Sequence, residues 1–415
     1  MLEYLLKGSM TVEQGYPAIG ERGPAQRTRF YRADLRFFDV PVRIRSDSRA
    51  FVARFASMYR RFQGKNGAFK PSRSPLELTL VTAPDDRWRT PTMLIDGKAW
   101  PLRDPALLEG YAYERFLNEI LSRVRAGFLI HAGAVSDGER GLILVADSGC
   151  GKTTLTLELV RRGFRFLSDE VAALGRESGL VYPFPRSLRI RPGTLALTGF
   201  GQADRSAPRW LGKAILDIQE IVPGRIGNAV PLSTVVVLRD GEREIPAQPQ
   251  PLGIVVDACD DAFVASVRKL PEVRGVQTGT WWRYPVLRIE ADRKGQLLPT
   301  IEALCERRGI LLLDVIKREK CVPSFASSPL LEPLSKSEGV MALLRQFRGG
   351  HKSLLLQEEF EGNSARMFLA LADLLGPVAC YSLSVGRLHE MGDLLVDLFR
   401  SRVGAAVDTG TLEEQ

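Results

Sequence analysis

Residues 141–170 read GLILVADSGCGKTTLTLELVRRGFRFLSDE, and their pattern decides the fold expected for the chain. The apolar run over 142–145 predicts a buried strand, and the glycine-containing residues 146–153 predict a turn. Apolar residues at helical spacing predict an amphipathic helix over 154–162, and a second apolar run predicts a strand over 164–167. Strand, glycine-containing turn, helix and strand in this order are typical of an α/β fold.

The predicted turn has the composition of a phosphate-binding loop, although Ala146 stands where the pattern G-x-x-x-x-G-K-[ST] has its first glycine. Backbone N–H groups of such a turn and of a helix N-terminus point at an anion, and the helix dipole favours the same charge. Lys152 is expected to reach the β- and γ-phosphates of a nucleotide, and the Thr153 hydroxyl to ligate Mg²⁺. The candidate nucleotide-binding residues are Asp147, Ser148, Gly149, Cys150, Gly151, Lys152, Thr153, Thr154, Arg189 and Arg191.

Arg189 and Arg191 alternate on a short segment that is predicted to be extended, so both project to the same side. Guanidinium groups match the oxygen atoms of phosphate and carboxylate groups. A solvated edge strand is the alternative interpretation of this segment, and both interpretations stay open.

An acidic pair follows the second strand of the stretch. Such a pair offers one carboxylate for a metal ion and one for proton transfer. We expect Asp169 to act as the general base toward an acceptor hydroxyl, while a role as a metal ligand stays open. Glu170 is expected to hold Mg²⁺ together with Thr153. His131 lies in an apolar segment, 128–135, that predicts one strand, and a buried structural role is usual for such a histidine.

These residues together resemble a known family. His131, the loop 147–153 and the acidic segment 168–170 resemble the catalytic domain of HPr kinase/phosphorylase and its HPr-kinase-like relatives, including the kinases of lasso-peptide precursors. The resemblance covers residues 126–248 and 339–400. It implies a P-loop kinase core of the HPr kinase/phosphoenolpyruvate carboxykinase-like type within a larger α/β chain, and a catalytic role for His131, Lys152 and Asp169.

The resemblance also implies the reaction. ATP and Mg²⁺ would be the cofactors, and the acceptor would be a Ser or Thr hydroxyl of a peptide or small protein. Ala146 and Glu170 depart from the family pattern, in which a glycine and a second aspartate stand at these places. The second departure leaves the metal geometry and any reverse phosphorylase activity open. HPr kinases form hexamers, so a homo-oligomer is a possible state of this chain.

The composition of the chain indicates which broad class of protein it belongs to. The chain has 415 residues, 45% of them hydrophobic and 26% charged, as is typical of a soluble globular protein with more than one domain. A net charge of +8 suits a protein that handles ATP and an acidic peptide. We see no nucleic-acid-binding module and no apolar run of membrane-spanning length, so we expect neither partner. Five widely spaced cysteines without a C-x-x-C motif favour a reducing cytoplasm.

The patterns divide the chain into several parts. We expect a flexible arm over 1–28, an N-terminal α+β unit over 29–108, a catalytic core over 109–249 and 325–403, an inserted unit over 250–318, and a tail over 404–415.

The N-terminal unit and a later connecting segment carry local signals. Residues 36–44 predict a strand that is broken at Pro41. Residues 48–62 predict a helix capped by Ser46 or Ser48. The Ser- and Pro-rich residues 319–338 predict a linker.

The inserted unit is predicted to contain a strand, a helix, two strands, a helix and a strand. This βαββαβ order is that of a ferredoxin-like unit. Trp281 and Trp282 fall at its hairpin, where aromatic packing across the hairpin is favoured over a peptide-binding surface.

Three functions fit these patterns. The first is the ATP- and Mg²⁺-dependent kinase acting on a peptide or small protein. The second is a nucleotide-binding regulatory protein with little transfer activity, which the departures at Ala146 and Glu170 favour. The third is a kinase of small molecules, since the related phosphoenolpyruvate carboxykinase fold acts on small acids.

Overall fold

The computed structural model of the chain is a mixed α/β protein with several sheets. It describes the residues 10–14, 29–62, 74–83, 88–108, 110–147, 149–185, 188–191, 193–200, 209–210, 213–239, 251–291, 294–316, 326–346 and 364–407. Ser148, most of the predicted arm and the residues after Val407 lie outside these ranges. Within them, no helix is long and apolar enough to cross a membrane.

The strands follow one another in chain order. They are β1 Met10–Gln14, β2 Arg29–Phe37, β3 Val40–Ser46, β4 Leu76–Val81, β5 Thr92–Ile95, β6 Lys98–Pro101, β7 Gly127–Ile130, β8 Ala132–Ser136, β9 Gly141–Val145, β10 Arg165–Ser168, β11 Ala172–Gly175, β12 Leu180–Tyr182, β13 Leu188–Ile190, β14 Arg209–Trp210, β15 Lys213–Leu216, β16 Val230–Arg239, β17 Leu252–Val256, β18 Val273–Trp281, β19 Tyr284–Ala291, β20 Leu312–Ile316, β21 Leu331–Leu334 and β22 Ala379–Ser384.

The described residues also form ten α-helices. They are α1 Arg49–Met58, α2 Tyr111–Leu121, α3 Lys152–Arg161, α4 Thr194–Leu197, α5 Ile218–Ile221, α6 Asp261–Arg268, α7 Lys294–Arg307, α8 Lys336–Gln346, α9 Ser364–Leu374 and α10 Leu388–Val407.

The chain divides into two compact units. The first contains the described residues within Met1–Ala126 and Pro246–Glu319, and the second those within Gly127–Ile245, Lys320–Gly349 and Leu355–Gln415. The first unit therefore brings together two parts of the chain that are far apart in sequence. The predicted domain boundaries themselves stay a prediction.

In the first unit, β1 to β6 form one sheet in sequence order, and β3 and β4 are the parallel neighbours within it. The predicted cap is confirmed, because the Ser48 hydroxyl accepts a hydrogen bond from the Phe51 N–H at 3.2 Å at the start of α1. The predicted strand break at Pro41 is wrong. The chain turns earlier, after Phe37, and Pro41 lies within β3 opposite Arg36. The turn at Phe38 and Asp39 lets β2 and β3 form an antiparallel hairpin, with Pro41 inside its second strand.

The remaining strands of the first unit form a four-stranded sheet in the order β18-β19-β17-β20. All its neighbouring pairs are antiparallel, and α6 and α7 connect strands of this sheet. Side chains from both helices and from β17 and β19 share one apolar cluster. The two helices therefore cover one face of the sheet.

The second unit is built around β9 and β16, which are parallel neighbours. Side chains of β9 point alternately into two apolar clusters, with Leu142 and Leu144 in one and Ile143 and Val145 in the other. The first cluster includes residues of α3 and α10, and the second includes residues of α8 and α9. A strand buried on both faces explains the continuous apolar run in the sequence.

Two predictions for the second unit need correction. The predicted strand over 128–135 is two strands, because β7 pairs with β11 while β8 pairs with β9 and β10, and the chain bends at His131 between them. The predicted linker over 319–338 contains β21 and the start of α8, and β21 pairs with β22. In addition, α10 extends to Val407, so the first residues of the predicted tail lie in a helix.

Candidate phosphate-binding site

The loop after β9 turns the chain sharply into α3. Ala146 is buried, Asp147 is exposed, and the Cys150 N–H donates a hydrogen bond to the Asp147 carbonyl oxygen at 3.3 Å. Gly149 and Gly151 have φ angles of +101° and +83°, in the left-handed region that glycine adopts at low cost. These two glycines are therefore what allows so tight a turn between strand and helix.

The helix α3 begins directly after Gly151, whose carbonyl oxygen accepts the first intrahelical hydrogen bond, from the Leu155 N–H at 2.9 Å. The first N–H groups of an α-helix have no acceptor within the helix, and they carry the positive end of its dipole. Thr153 is half-buried and Thr154 is buried at this end. The start of α3 therefore has the chemistry to bind an anion.

Lys152 lies at the first helical position and is only 8% exposed. Its Nζ donates a hydrogen bond to the Ala146 carbonyl oxygen at 2.5 Å, across the base of the loop. A buried ammonium group needs acceptors close to it. This lysine is therefore the positive charge that the loop holds in place.

The acidic pair lies at a corner of the chain between β10 and β11. The Ser168 hydroxyl accepts hydrogen bonds from the Val171 N–H at 3.0 Å and the Glu170 N–H at 3.4 Å, which fixes this corner. Asp169 is buried, with 5% of its surface exposed, and Glu170 is half-buried. The two carboxylates differ in their access to solvent, which suits two different roles.

His131 lies at the neighbouring corner, between β7 and β8. Its Nδ1 lies 3.1 Å from the Glu170 carbonyl oxygen, and because a carbonyl can only accept, Nδ1 carries the proton. In the neutral ring, Nε2 is then the acceptor nitrogen. This contact places His131 next to the main chain of the acidic pair, while a shared catalytic site stays a prediction.

Gln346, the last residue of α8, is a contact residue that the sequence patterns do not reveal. Its carbonyl oxygen accepts a hydrogen bond from the His131 N–H at 2.9 Å, and its Nε2 lies 3.5 Å from Asp147 Oδ1. The end of α8 thus lies against both the loop and the histidine. Only the amphipathic pattern of the helix is visible in the sequence, and this pattern does not mark its last residue.

Arg189 lies in β13 of a separate three-stranded sheet, β13-β15-β14, and Arg191 follows directly after this strand. Leu188 and Ile190 of this segment pack into the same apolar cluster as Ala146 and Cys150 of the loop. The two half-buried arginines alternate with these residues, and burial lowers the pKa of Arg191. The segment therefore shares an apolar cluster with the loop, while a direct role of its arginines in binding phosphate stays a prediction.

The far end of α3 is held by a group of charged side chains. Glu158 is 2% exposed and accepts hydrogen bonds from Arg161 and Arg162, with its Oε1 at 2.6 Å from the nearest nitrogen of each. Arg162 also contacts Asp393 Oδ1 at 2.5 Å and the His389 carbonyl oxygen at 2.7 Å in α10. These contacts fix α3 against α10, and with it the position of Lys152.

The residues present fit a nucleotide with a magnesium ion. Among the described residues, no three His, Cys, Asp or Glu side chains form a group that could hold a metal ion by themselves. Mg²⁺ is usually bound through one or two protein carboxylates, with the remaining ligands coming from substrate phosphates and water. Thr153 and the acidic pair are donors of the kind such a site uses.

Comparison with known proteins gives little beyond this geometry. No family model and no curated protein matches the chain. A solved structure that it matches is the HPr(Ser) kinase/phosphatase from Coxiella burnetii, with 17% identity over 43% of this chain and 95% of that chain. The TM-score is 0.19, so this likeness carries no argument about the activity.

Proposed function

We propose that the chain is a kinase that binds ATP and Mg²⁺ at the loop before α3 and phosphorylates a hydroxyl group of a peptide or small protein. The observation that carries this proposal is the position of Lys152. It is a buried lysine at the first position of a helix, behind a turn with two left-handed glycines, at the end of a central parallel strand. This combination is what binding of nucleotide phosphates requires.

The side chains divide the chemistry between them. ATP supplies the phosphoryl group, and Mg²⁺ neutralises charge on its oxygens. Lys152 would donate hydrogen bonds to phosphate oxygens in place of its present bond to Ala146. Thr153 and Glu170 are the proposed ligands of the metal ion. Asp169, which is more buried, would accept the proton of the acceptor hydroxyl.

His131 is proposed to support this site through Glu170. Its bond to the Glu170 carbonyl oxygen holds the corner that carries both carboxylates. The same bond keeps Nε2 of the neutral ring free of a proton, so the ring can accept a hydrogen bond there.

The first test is transfer of label from γ-labelled ATP to a fraction of peptides and small proteins. Lys152→Ala should abolish transfer and leave the thermal unfolding curve cooperative, because the ammonium group is lost from the phosphate site alone. Lys336→Ala is a matched control, since Lys336 Nζ also donates to main-chain carbonyls, at Leu375 and Val378, but away from the loop. Unaltered transfer by Lys152→Ala would refute the proposed site.

The role of Asp169 needs a second variant. If Asp169 is the base, Asp169→Asn should lower the rate of transfer much more than it lowers the affinity for ATP. Loss of ATP and Mg²⁺ binding to the same degree would instead make Asp169 a metal ligand. Label on a small molecule in place of a polypeptide would favour the small-molecule kinase.

The bond between Lys152 and Ala146 favours a second candidate. With its ammonium group already bonded within the loop, the protein could bind nucleotide without transferring phosphate. Tight binding of ATP by the wild type, together with no transfer to any acceptor fraction, would make the nucleotide-binding regulatory protein the better assignment.

A further inference from the structure

The strand β18 is the edge of the four-stranded sheet. It pairs with β19 along Val273–Trp281, and among the described residues no further strand continues the sheet beyond it. Most of its residues are exposed or half-buried, with Val276 as the buried exception. A long edge strand presents a row of N–H and C=O groups to which another extended segment can add.

This edge already accepts a donor from outside the sheet. Nη2 of Arg268, in α6, lies 3.4 Å from the carbonyl oxygen of Val276. The only irregularity of the ladder between β18 and β19 lies at the start of the strand, between Val273 and Gly275. The following residues are therefore regular enough to pair with an added strand.

Two tryptophans stand at the end of this strand. Trp281 is 37% exposed and Trp282 is 64% exposed, so the predicted packing across the hairpin is not found for Trp282. Trp282 also has a φ of +57°, a conformation that is costly for a bulky side chain and that Gly or Asn adopts more readily in a hairpin turn. Packing within the protein does not explain a strained and exposed tryptophan. A contact with a bound partner would explain it.

The surface around the strand is mainly cationic. Its exposed basic side chains are Arg268, Lys269, Arg274, Arg283 and Arg288. Among the residues that the structure describes, the acidic side chains close to the strand are Asp104, Glu272 and Glu290, of which Asp104 bonds to Arg283. The excess of positive charge favours a partner with acidic side chains and disfavours a second copy of the same strand, because like charges would then meet.

We propose that an acidic, extended segment of the acceptor polypeptide adds to the outer edge of β18 beyond Val276, whose carbonyl oxygen Arg268 already contacts, with Trp281 and Trp282 contacting its side chains. This proposal rests on the proposed peptide or protein acceptor. Main-chain hydrogen bonds along the edge supply affinity, and the cationic and aromatic side chains select the segment. The edge would thus hold the acceptor by a part other than the phosphorylated residue.

The test measures peptide binding to the full chain by fluorescence anisotropy, at low salt and without nucleotide. The probe is a labelled peptide of alternating Glu and Thr, and two further versions carry N-methyl groups on either the odd or the even amides. In an added strand, only every second amide N–H donates a hydrogen bond to β18, and N-methylation removes that donor. The version methylated at those amides should therefore bind about tenfold more weakly, and the other version should bind nearly as well as the probe. ATP binding is measured separately, so failure of this proposal is distinguishable from failure of the proposed kinase.

Variants locate the site. Trp282→Asn should leave the protein at least as stable, because asparagine tolerates positive φ, and it should still weaken peptide binding several-fold. Arg288→Glu should weaken binding of the acidic probe. Leu369→Ala is the control, since Leu369 is 61% exposed in α9 of the other unit and should change nothing.

Several outcomes would overturn the proposal. The first is that the probe shows no saturable binding. The second is that both N-methylated versions bind as well as the probe, and the third is that a Lys-Thr peptide binds as well as the Glu-Thr probe. Tighter binding of a short oligothymidine to the same edge would assign it to single-stranded nucleic acid. A dimer in sedimentation velocity that Arg288→Glu or Trp282→Asn disrupts would assign it to a second copy of the chain.

Discussion

At the scale of single residues, Gly151 sets the geometry of the loop. Its φ of +83° costs an L-amino acid about 1–2 kcal/mol, and it immediately precedes the helix that carries Lys152. Gly151→Ala should therefore lower the free energy of unfolding by about 1–2 kcal/mol. It should also weaken ATP binding, because the strained turn moves the N–H groups at the start of α3. Chemical denaturation and equilibrium binding of ATP measure the two effects.

Gly138 provides a matched control for this prediction. It has a φ of +117° in the turn before β9, and a methyl group there would meet no atom within 4 Å. Gly138→Ala should cost a similar amount of stability and leave ATP binding unchanged. If Gly151→Ala binds ATP as well as Gly138→Ala does, the loop is not the phosphate site.

Single residues also show which contacts a local sequence pattern can predict and which it cannot. The cap at Ser48 is predictable, because the hydroxyl acts on an N–H three residues away in the same segment. The two bonds of Gln346 join it to residues that lie far away in sequence, so no local pattern contains them. The positions of Asp147, Lys152 and Asp169 were predictable as a motif, but the bond from Lys152 to Ala146 was not.

At the scale of elements, the ion pairs of Glu158 at the end of α3 make the stability of the fold depend on pH. Burial of Glu158 would raise the pKa of its carboxyl, but hydrogen bonds from Arg161 and Arg162 more than offset this and hold the pKa below its ordinary value. A group with a depressed folded pKa stabilises the fold above its unfolded pKa, and that stability is lost as the pH falls through the folded pKa. We therefore expect stability to decline from about pH 4.5 downward, starting near the unfolded pKa of a glutamate.

Glu158→Gln tests this coupling. It should lower the free energy of unfolding at pH 7 by about 2 kcal/mol, because hydrogen bonds to two charged groups are weakened. The pH dependence below about pH 4.5 should become shallower than in the wild type. Glu177→Gln, in an exposed turn, should change neither value. An unchanged acid slope in Glu158→Gln would mean that other carboxyl groups cause the decline.

Elements with complete local signals were predictable, and those that depend on distant pairing were not. The six elements from β17 to β20 follow the predicted order of a strand, a helix, two strands, a helix and a strand. They begin and end at local signals such as Asp260, whose carboxylate accepts from the Phe263 N–H at 2.6 Å. The bend at His131 and the strand β21 depend instead on which distant strands each segment pairs with.

At the scale of the whole molecule, the first unit joins two distant parts of the chain through Asp104. The Asp104 carboxylate accepts hydrogen bonds from Arg283 and from the Tyr284 hydroxyl, the latter at 2.9 Å. Burial, followed by the bond to Asp104, raises the pKa of Tyr284 to about 12. Arg103 adds a contact to the buried carboxylate of Asp257 at 2.7 Å. These bonds tie the N-terminal elements to the hairpin of β18 and β19.

A double-mutant cycle measures this connection. Asp104→Ala and Tyr284→Phe should each destabilise the protein, and together they should do so by less than the sum, with a coupling of about 1 kcal/mol. The cycle removes the separate effect of Asp104 as the cap of the 3₁₀ turn Pro105–Leu107. Additive effects in urea denaturation would show that the two parts are held together by other contacts.

The parallel pairing of β16 with β22 sets the order in which the second unit can be completed during synthesis. All of β17 to β20 lie between these neighbours in the chain, so they leave the ribosome before β22 does. Until then, the side of β16 that β22 later covers stays open along Thr234–Arg239, and this unpaired edge can associate with other nascent chains. Production of this protein should therefore depend on chaperones that shield that edge while translation proceeds to β22.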